Sequence, residues 1–366
     1  MSIESELKNE GIVVIKNLNA LQVHTIAKFV AEKLVSNFPE QNLNLDNLIF
    51  ELSKLNMCIA KMPPDGAAAK FYYKNSTLYF HENLSFDDIE NLAIHECIHF
   101  IQQSTDSNNK LVRLGLCDFS NSYLNGMGVN EAAVQFMASK CLDSKNEDVK
   151  YYDIEFSTIS PSYYPLQCNL IGQISYIIGE DILFNSTLYG NDNFKEKFIS
   201  VTNQDIFYTI QKNIDSIVYL EDELNNLSNT LANMDGNIRK IERISKKIIK
   251  QKQKISKVYF DTQNLIFTGY FNHRLNELVT LKDIDNFRNK LFGYKDLIGK
   301  NDKYSYFSDY YLQMMQKLEQ KYEALEDGNV TTLVVQKNNL FVTLFKKLRL
   351  LFKKEYQSSD VTLIQK

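Results

Sequence analysis

Proline is the residue a helix interior tolerates least, because it lacks the main-chain donor and its ring clashes with the preceding turn. All five prolines of this 366-residue chain lie at or before Pro165. The asymmetry predicts a mixed first part and a mainly helical second part. In the first part, residues 11–15 (GIVVI) read as a strand, and residues 21–38 carry apolar positions at helical spacing in Val23, Ile26, Val30 and Leu34. A short helix fits residues 45–55, and residues 57–62 read as a strand ended by Pro63-Pro64. Residues 70–73 and 76–80 flank Lys74-Asn75 as a hairpin. Ser85-Phe86-Asp87-Asp88 resembles a capping box and opens a helix reaching about residue 103.

In the second part the apolar positions step by three and four from Ile217 through Leu220, Leu224, Leu227, Leu231, Met234, Ile238, Ile241, Ile248 and Ile255 to Tyr259. Only Ser245 and Lys252 interrupt the phase. Such a run predicts a coiled-coil-like helix or a helical hairpin over about residues 213–262. Asp235-Gly236, with Asn233 and Asn237 beside it, favours a turn there, while the unbroken phase favours one continuous helix. We read a hairpin, with the single helix as the alternative.

Composition narrows the class of function. With 41 Lys+Arg against 45 Asp+Glu the formal charge is -4, which argues against a dedicated nucleic-acid binder. The five cysteines, Cys58, Cys97, Cys117, Cys141 and Cys168, form no CxxC pair and read as reduced thiols rather than a disulfide framework or a thiolate zinc module. The first residues lack the apolar core of a secretory signal, and no apolar run long enough to span a membrane occurs. The simplest expectation is a cytoplasmic protein, although export without a cleaved signal would look the same.

Two of the five histidines fall in His95-Glu96-Cys97-Ile98-His99, the pattern HExxH. Residues four apart on a helix stand one above the other, so both imidazoles can share one metal ion with Glu96 beside it. The neighbours Ala93, Ile94, Cys97, Ile98, Phe100 and Ile101 are uncharged, as expected of a buried helix. A catalytic zinc site needs a third protein ligand. No histidine follows His99 until His273, and Gln102 and Thr105 stand where a metzincin carries Gly and His. The best third ligand is Glu131, near the start of a helix running through Val134, Phe136 and Met137, with Asp118 or Glu82 as substitutes.

HExxH followed by Asn130-Glu131-Ala132 resembles the gluzincins, the thermolysin-like zinc metallopeptidases. The resemblance covers roughly residues 57–140 and does not reach a named family. It implies a zincin fold, one Zn2+ held by His95, His99 and Glu131, and Glu96 as general base for hydrolysis of peptide bonds by a metal-activated water. Two departures stand out: His99 and Glu131 are further apart than in the thermolysin branch, and Gln135 stands where many members carry an acidic residue supporting the first histidine. An oxyanion donor should come from a later segment, with Tyr163 and Tyr164 as candidates and Tyr176 and His273 behind them. The strand over residues 76–83 is expected at the sheet edge, where an extended peptide or protein substrate adds by main-chain hydrogen bonds.

Two basic stretches remain. The run from Arg239 to Lys257 has Glu242 as its one acid, and the stretch from Phe341 to Lys354 is a basic amphipathic helix by pattern. Each reads as a solvated or docked face, or as a surface for an acidic partner or an anionic membrane. The chain is thus expected to be α+β, with a zincin-like domain over residues 1–205 and a mainly α-helical, coiled-coil-containing domain over residues 206–366. Two alternatives to a free-standing peptidase are a helical scaffold with a structural or degenerate zinc site, and a peptidase effector or toxin delivered or positioned by its helical part.

Overall fold

The computed structural model describes residues 3–63, 66–108, 110–119, 126–234 and 238–326. The architecture is α+β and dominated by helices. It opens with α1 (Ile3–Asn9), β1 (Val13–Asn17), α2 (Ala20–Asn37), α3 (Leu45–Leu52), β2 (Asn56–Lys61), β3 (Ala69–Tyr72) and β4 (Thr77–His81). The strands form one sheet of order β1-β2-β4-β3. β2 and β4 run parallel, while β1 and β3 are antiparallel to their neighbours. The first strand begins two residues later than its sequence suggests, because Gly11 and Ile12 close α1 by donating to the carbonyls of Lys8 and Leu7.

Both faces of this sheet are covered. Met57, Ile59, Leu78 and Phe80 join the main core, while Cys58, Ala60, Tyr72 and Tyr79 form a smaller cluster with Leu7 of α1 and Ile12. That double burial is why β2 reads as an unbroken apolar run. The topology corrects one expectation. The strand leading into the HExxH helix, β4, is interior, and β3 is the edge. Parallel pairing fills the place beside β2 with β4, so the hairpin partner of β4 is left outside.

The HExxH helix is α4 (Phe86–Ile101), opened by a complete capping box between Ser85 and Asp88. Three short strands follow, β5 (Gln103–Thr105), β6 (Leu111–Leu114) and β7 (Cys117–Asp118), and then α5 (Met127–Cys141). Nearly every side of α5 is buried, so it lies in the middle of the protein rather than on its surface. A hairpin of β8 (Glu147–Tyr151) and β9 (Ile154–Thr158) leads to α6 (Pro165–Ile178), whose first residue is the last proline of the chain, at the position where a missing donor costs least.

Among the described residues the named elements beyond are helices: α7 (Glu180–Tyr189), α8 (Asn193–Ser200), α9 (Gln204–Ala232), α10 (Ile238–Glu277), α11 (Leu281–Tyr294) and α12 (Phe307–Glu326). α9 and α10 lie side by side, with the Gln251 side-chain amide donating to the Leu220 carbonyl at 3.2 Å and to Glu223 at 2.8 Å. The proposed turn at Asp235-Gly236 and the basic stretch from Phe341 to Lys354 lie outside the described residues. The basic side chains from Arg239 to Lys254 on α10 are exposed. No helix among the described residues is long and apolar enough to cross a membrane.

The division expected at residue 205 falls at the start of α9, and the main core continues across it. One buried cluster runs from Val23 of α2 through α4, α5 and α6 to Leu318 of α12. Its far end is aromatic: the Phe267 ring lies 5.1 Å from Phe307 and 4.8 Å from Tyr310. Phe267→Ala removes a fully buried ring and should cost about 3–5 kcal/mol, measured by denaturant unfolding; a loss below about 1 kcal/mol would mean that this cluster collapses around the gap.

Candidate metal centre

The helical period brings His95 and His99 to one face of α4, and α5 packs across that face with Glu131 towards them. The two Nε2 atoms are 3.0 Å apart. Each faces a different oxygen of Glu131, His95 Nε2 at 3.4 Å from Oε2 and His99 Nε2 at 3.4 Å from Oε1. Nitrogen and oxygen ligands about 2.0–2.1 Å from a tetrahedral zinc ion stand about 3.3–3.4 Å from one another. The two nitrogens and the carboxylate lie close enough together for one ion to be shared with small side-chain adjustments. Among the described residues, the histidine and acid side chains grouped closely enough to hold one are His95, His99 and Glu131, and neither Asp118 nor Glu82 joins them.

The supporting contacts favour the same use. His95 Nδ1 lies 2.9 Å from Gln135 Oε1, so this nitrogen carries the proton and Nε2 presents its lone pair to the centre. Gln135 is one turn beyond Glu131 on α5 and is held in turn by the hydroxyl of Ser139. His99 Nδ1 meets the side-chain amide of Gln102 at 2.7 Å. With its nitrogen towards His99, Gln102 leaves a buried Oε1 without a partner. Turning the amide over gives that oxygen the Nδ1–H and leaves His99 Nε2 free as a ligand. Gln102, at the C-cap of α4, is a contact sequence reading passed over; its signal is the spacing of three residues after His99.

Electrostatics bind the three together. Burial raises the Glu131 pKa, but the nearby imidazoles of His99 and His95 outweigh it and hold the carboxyl well below the usual range. Burial also opposes a charge on His95, yet its hydrogen bond to Glu131 and the charges of Glu96 and Glu131 leave its pKa raised. Cys97 lies within HExxH but is fully buried, its thiol pushed well up by desolvation and by Glu96. It belongs to the core. The five cysteines are all buried thiols outside any disulfide.

Glu96 is turned towards the sheet. Its Oε2 accepts the main-chain N–H of Phe71 at 2.6 Å. Phe71 sits in the middle of β3 opposite Leu78, and this amide points away from β4, across the outer edge of the sheet. The edge strand and the motif helix thus meet at the glutamate. The Phe71 and Phe100 rings close the same seam, 6.0 Å apart and edge to face.

The two candidate tyrosines separate. Tyr164, the N-cap of α6 in the left-handed region (φ 50°), is largely buried, and its pKa is raised by that burial and then by the charges of Glu131 and Glu96. Its hydroxyl stays protonated, within electrostatic reach of Glu131 and Glu96. Tyr163 is 48% exposed, and its carbonyl accepts from Ser160. Tyr176 donates to the Lys290 carbonyl, and His273 pairs with Glu277 on α10, so both are occupied elsewhere.

Against α6, α9 contributes an acid that sequence gave no reason to single out. Glu221 accepts from Gln167 of α6 at 2.6 Å and from Tyr152, and burial pushes its pKa up to about 7. The chain matches no protein-family model, no curated protein and no solved structure.

The Glu221 shift fixes a pH dependence. An acid whose folded pKa lies above its ordinary 4.5 binds more protons folded than unfolded, so stability falls as pH rises from about 4.5 to 7. Glu221→Gln removes that loss. The variant should gain on the order of 2–3 kcal/mol relative to wild type between pH 5 and pH 8 in denaturant unfolding; a stability difference that does not change with pH would contradict the assignment.

Proposed function

We propose that this chain is a zinc-dependent metallopeptidase of gluzincin type, with His95, His99 and Glu131 as ligands and Glu96 as general base. The observation that carries the reading is the convergence of two imidazole nitrogens and one carboxylate from adjacent helices on one point, with Glu96 on the same turn of α4 and the sheet edge directly against it. Bound there, zinc supplies a water of lowered pKa and a Lewis acid for a carbonyl group.

The chain's own residues account for the rest. Glu96 takes a proton from the attacking water and returns it to the leaving amine, its carboxylate steadied at one oxygen by the Phe71 amide. Tyr164 keeps its proton near neutral pH and offers an O–H to the oxyanion. The outer edge of β3 lies against Glu96, so an extended peptide pairing with that edge is brought to the carboxylate and competes with it for the Phe71 amide. Gln135 and Gln102 hold the two imidazoles so that both Nε2 atoms face inward.

Purified protein should carry about one zinc per chain and cleave members of a quenched-fluorescent peptide library. Glu96→Gln should keep the metal and lose about 10²–10⁴-fold in kcat. Tyr164→Phe should lose about 10²–10³-fold in kcat with KM little changed. Protein that holds zinc but cleaves nothing would favour a structural or degenerate site on a helical scaffold, and folded protein without affinity for zinc would end the proposal.

A further inference from the structure

The helix that carries Glu131 has no capping side chain of its own. Its N-cap is Gly126, with φ +99°, and neither Gly126 nor Gly128 has a side chain with which to satisfy the free amides of the first turn. Both amides are taken by one carboxylate from α9. Gly126 N–H donates to Asp215 Oδ2 and Gly128 N–H to Asp215 Oδ1, each at 2.7 Å.

The glycines are what let α9 come this close. A Cβ at Gly126 would lie 2.3 Å from Nε2 of Gln211, one turn before Asp215. At Gly128 it would lie 3.1 Å from Asp215 Oδ1 and from the Ile214 carbonyl. The seat is mostly dry: burial raises the Asp215 pKa, and the two amide hydrogen bonds hold it down. A negative charge at a helix N-terminus is favoured by the aligned peptide dipoles as well as by the direct bonds.

Glu131 follows Gly128 by less than one helical turn. Between them, fully buried Asn130 is fixed in the same way, its Oδ1 accepting the Leu116 amide at 3.0 Å. The position of the Glu131 carboxylate therefore follows the rotation and depth of the first turn of α5.

We infer that Asp215 is a positioning residue for the metal ligand Glu131, a helix cap supplied by α9 that sets how the carboxylate approaches His95 and His99. The inference rests on the metal-binding part of the proposed function. It makes the long helical hairpin part of the metal centre rather than a detachable carrier. It also gives a reason for the Gly-Met-Gly sequence ahead of Asn130-Glu131.

The test is the zinc dissociation constant of the full chain, measured by competition with a chromogenic chelator. Wild type, Asp215→Asn, Glu131→Gln, the double variant and Glu242→Gln, an exposed acid on α10, are compared. Asp215→Asn should weaken zinc binding about 10–100-fold, the range for residues that orient ligands, and Glu242→Gln should leave it unchanged. In the Glu131→Gln background Asp215→Asn should add little, because it acts through that ligand. Unchanged affinity in Asp215→Asn, or an equal loss in both backgrounds, would overturn the inference. Amide hydrogen exchange supplies a second readout: Asp215→Asn should deprotect residues 126–131 while α4 stays protected. Unchanged exchange at 126–131, or deprotection throughout, would also overturn it. Wild-type protein that binds no zinc would instead sink the proposed function, and the exchange measurement would still decide whether Asp215 holds α5.

Discussion

Two imidazoles one helical turn apart, facing a carboxylate on a crossing helix, are the constraint around which this fold is arranged. Nitrogen lone pairs held 3.0 Å apart in a largely buried place are unfavourable unless something positive lies between them, whether a proton or a metal ion. Glu131 supplies the opposing charge, and its pKa is held down because both histidines lie against it. Around this point the polar contacts are few and directed: Gln135 and Gln102 turn the rings, Phe71 holds Glu96, and Asp215 holds the helix that brings Glu131. The apolar core does the rest by burying α5 on nearly every side.

The helical half is part of that construction. A reading of the chain as a mixed domain followed by a separate rod would place the chemistry entirely in the first 205 residues. The structure instead runs one core through both, and α9 reaches back to α5 and α6 with Asp215 and Glu221. The left-handed backbone at Tyr164 and the proline after it set the start of α6, with the Tyr164 hydroxyl buried within electrostatic reach of Glu131 and Glu96. A binding event at the exposed basic face of α10 would act on a helix packed along the length of α9.

Much of the site could be read from the chain because its signals are local. HExxH is a helical period of four, the capping box of Ser85 and Asp88 marks where that helix starts, and Glu131 was found as an acid opening the next apolar helix. The positions of the prolines announced where helices take over. What could not be read depends on contacts between distant segments. The interior place of β4 follows from parallel pairing with β2, which alternation of apolar residues does not encode. Asp215 is 89 residues from Gly126, and in the sequence it is one more acid on an amphipathic helix. Gln102 was visible but was read as the lack of a metzincin glycine rather than as a partner for His99. Short α1 was missed because its one buried side chain, Leu7, gives no period.

The most direct test of the account is X-ray absorption at the zinc edge of the zinc-loaded chain. The account expects a first shell of nitrogen and oxygen only, at about 2.0–2.1 Å, with the multiple-scattering signature of two imidazoles that falls to one in His99→Ala. A shell containing sulfur at about 2.3 Å, or an imidazole signal unchanged by loss of His99, would place the ion elsewhere and contradict it.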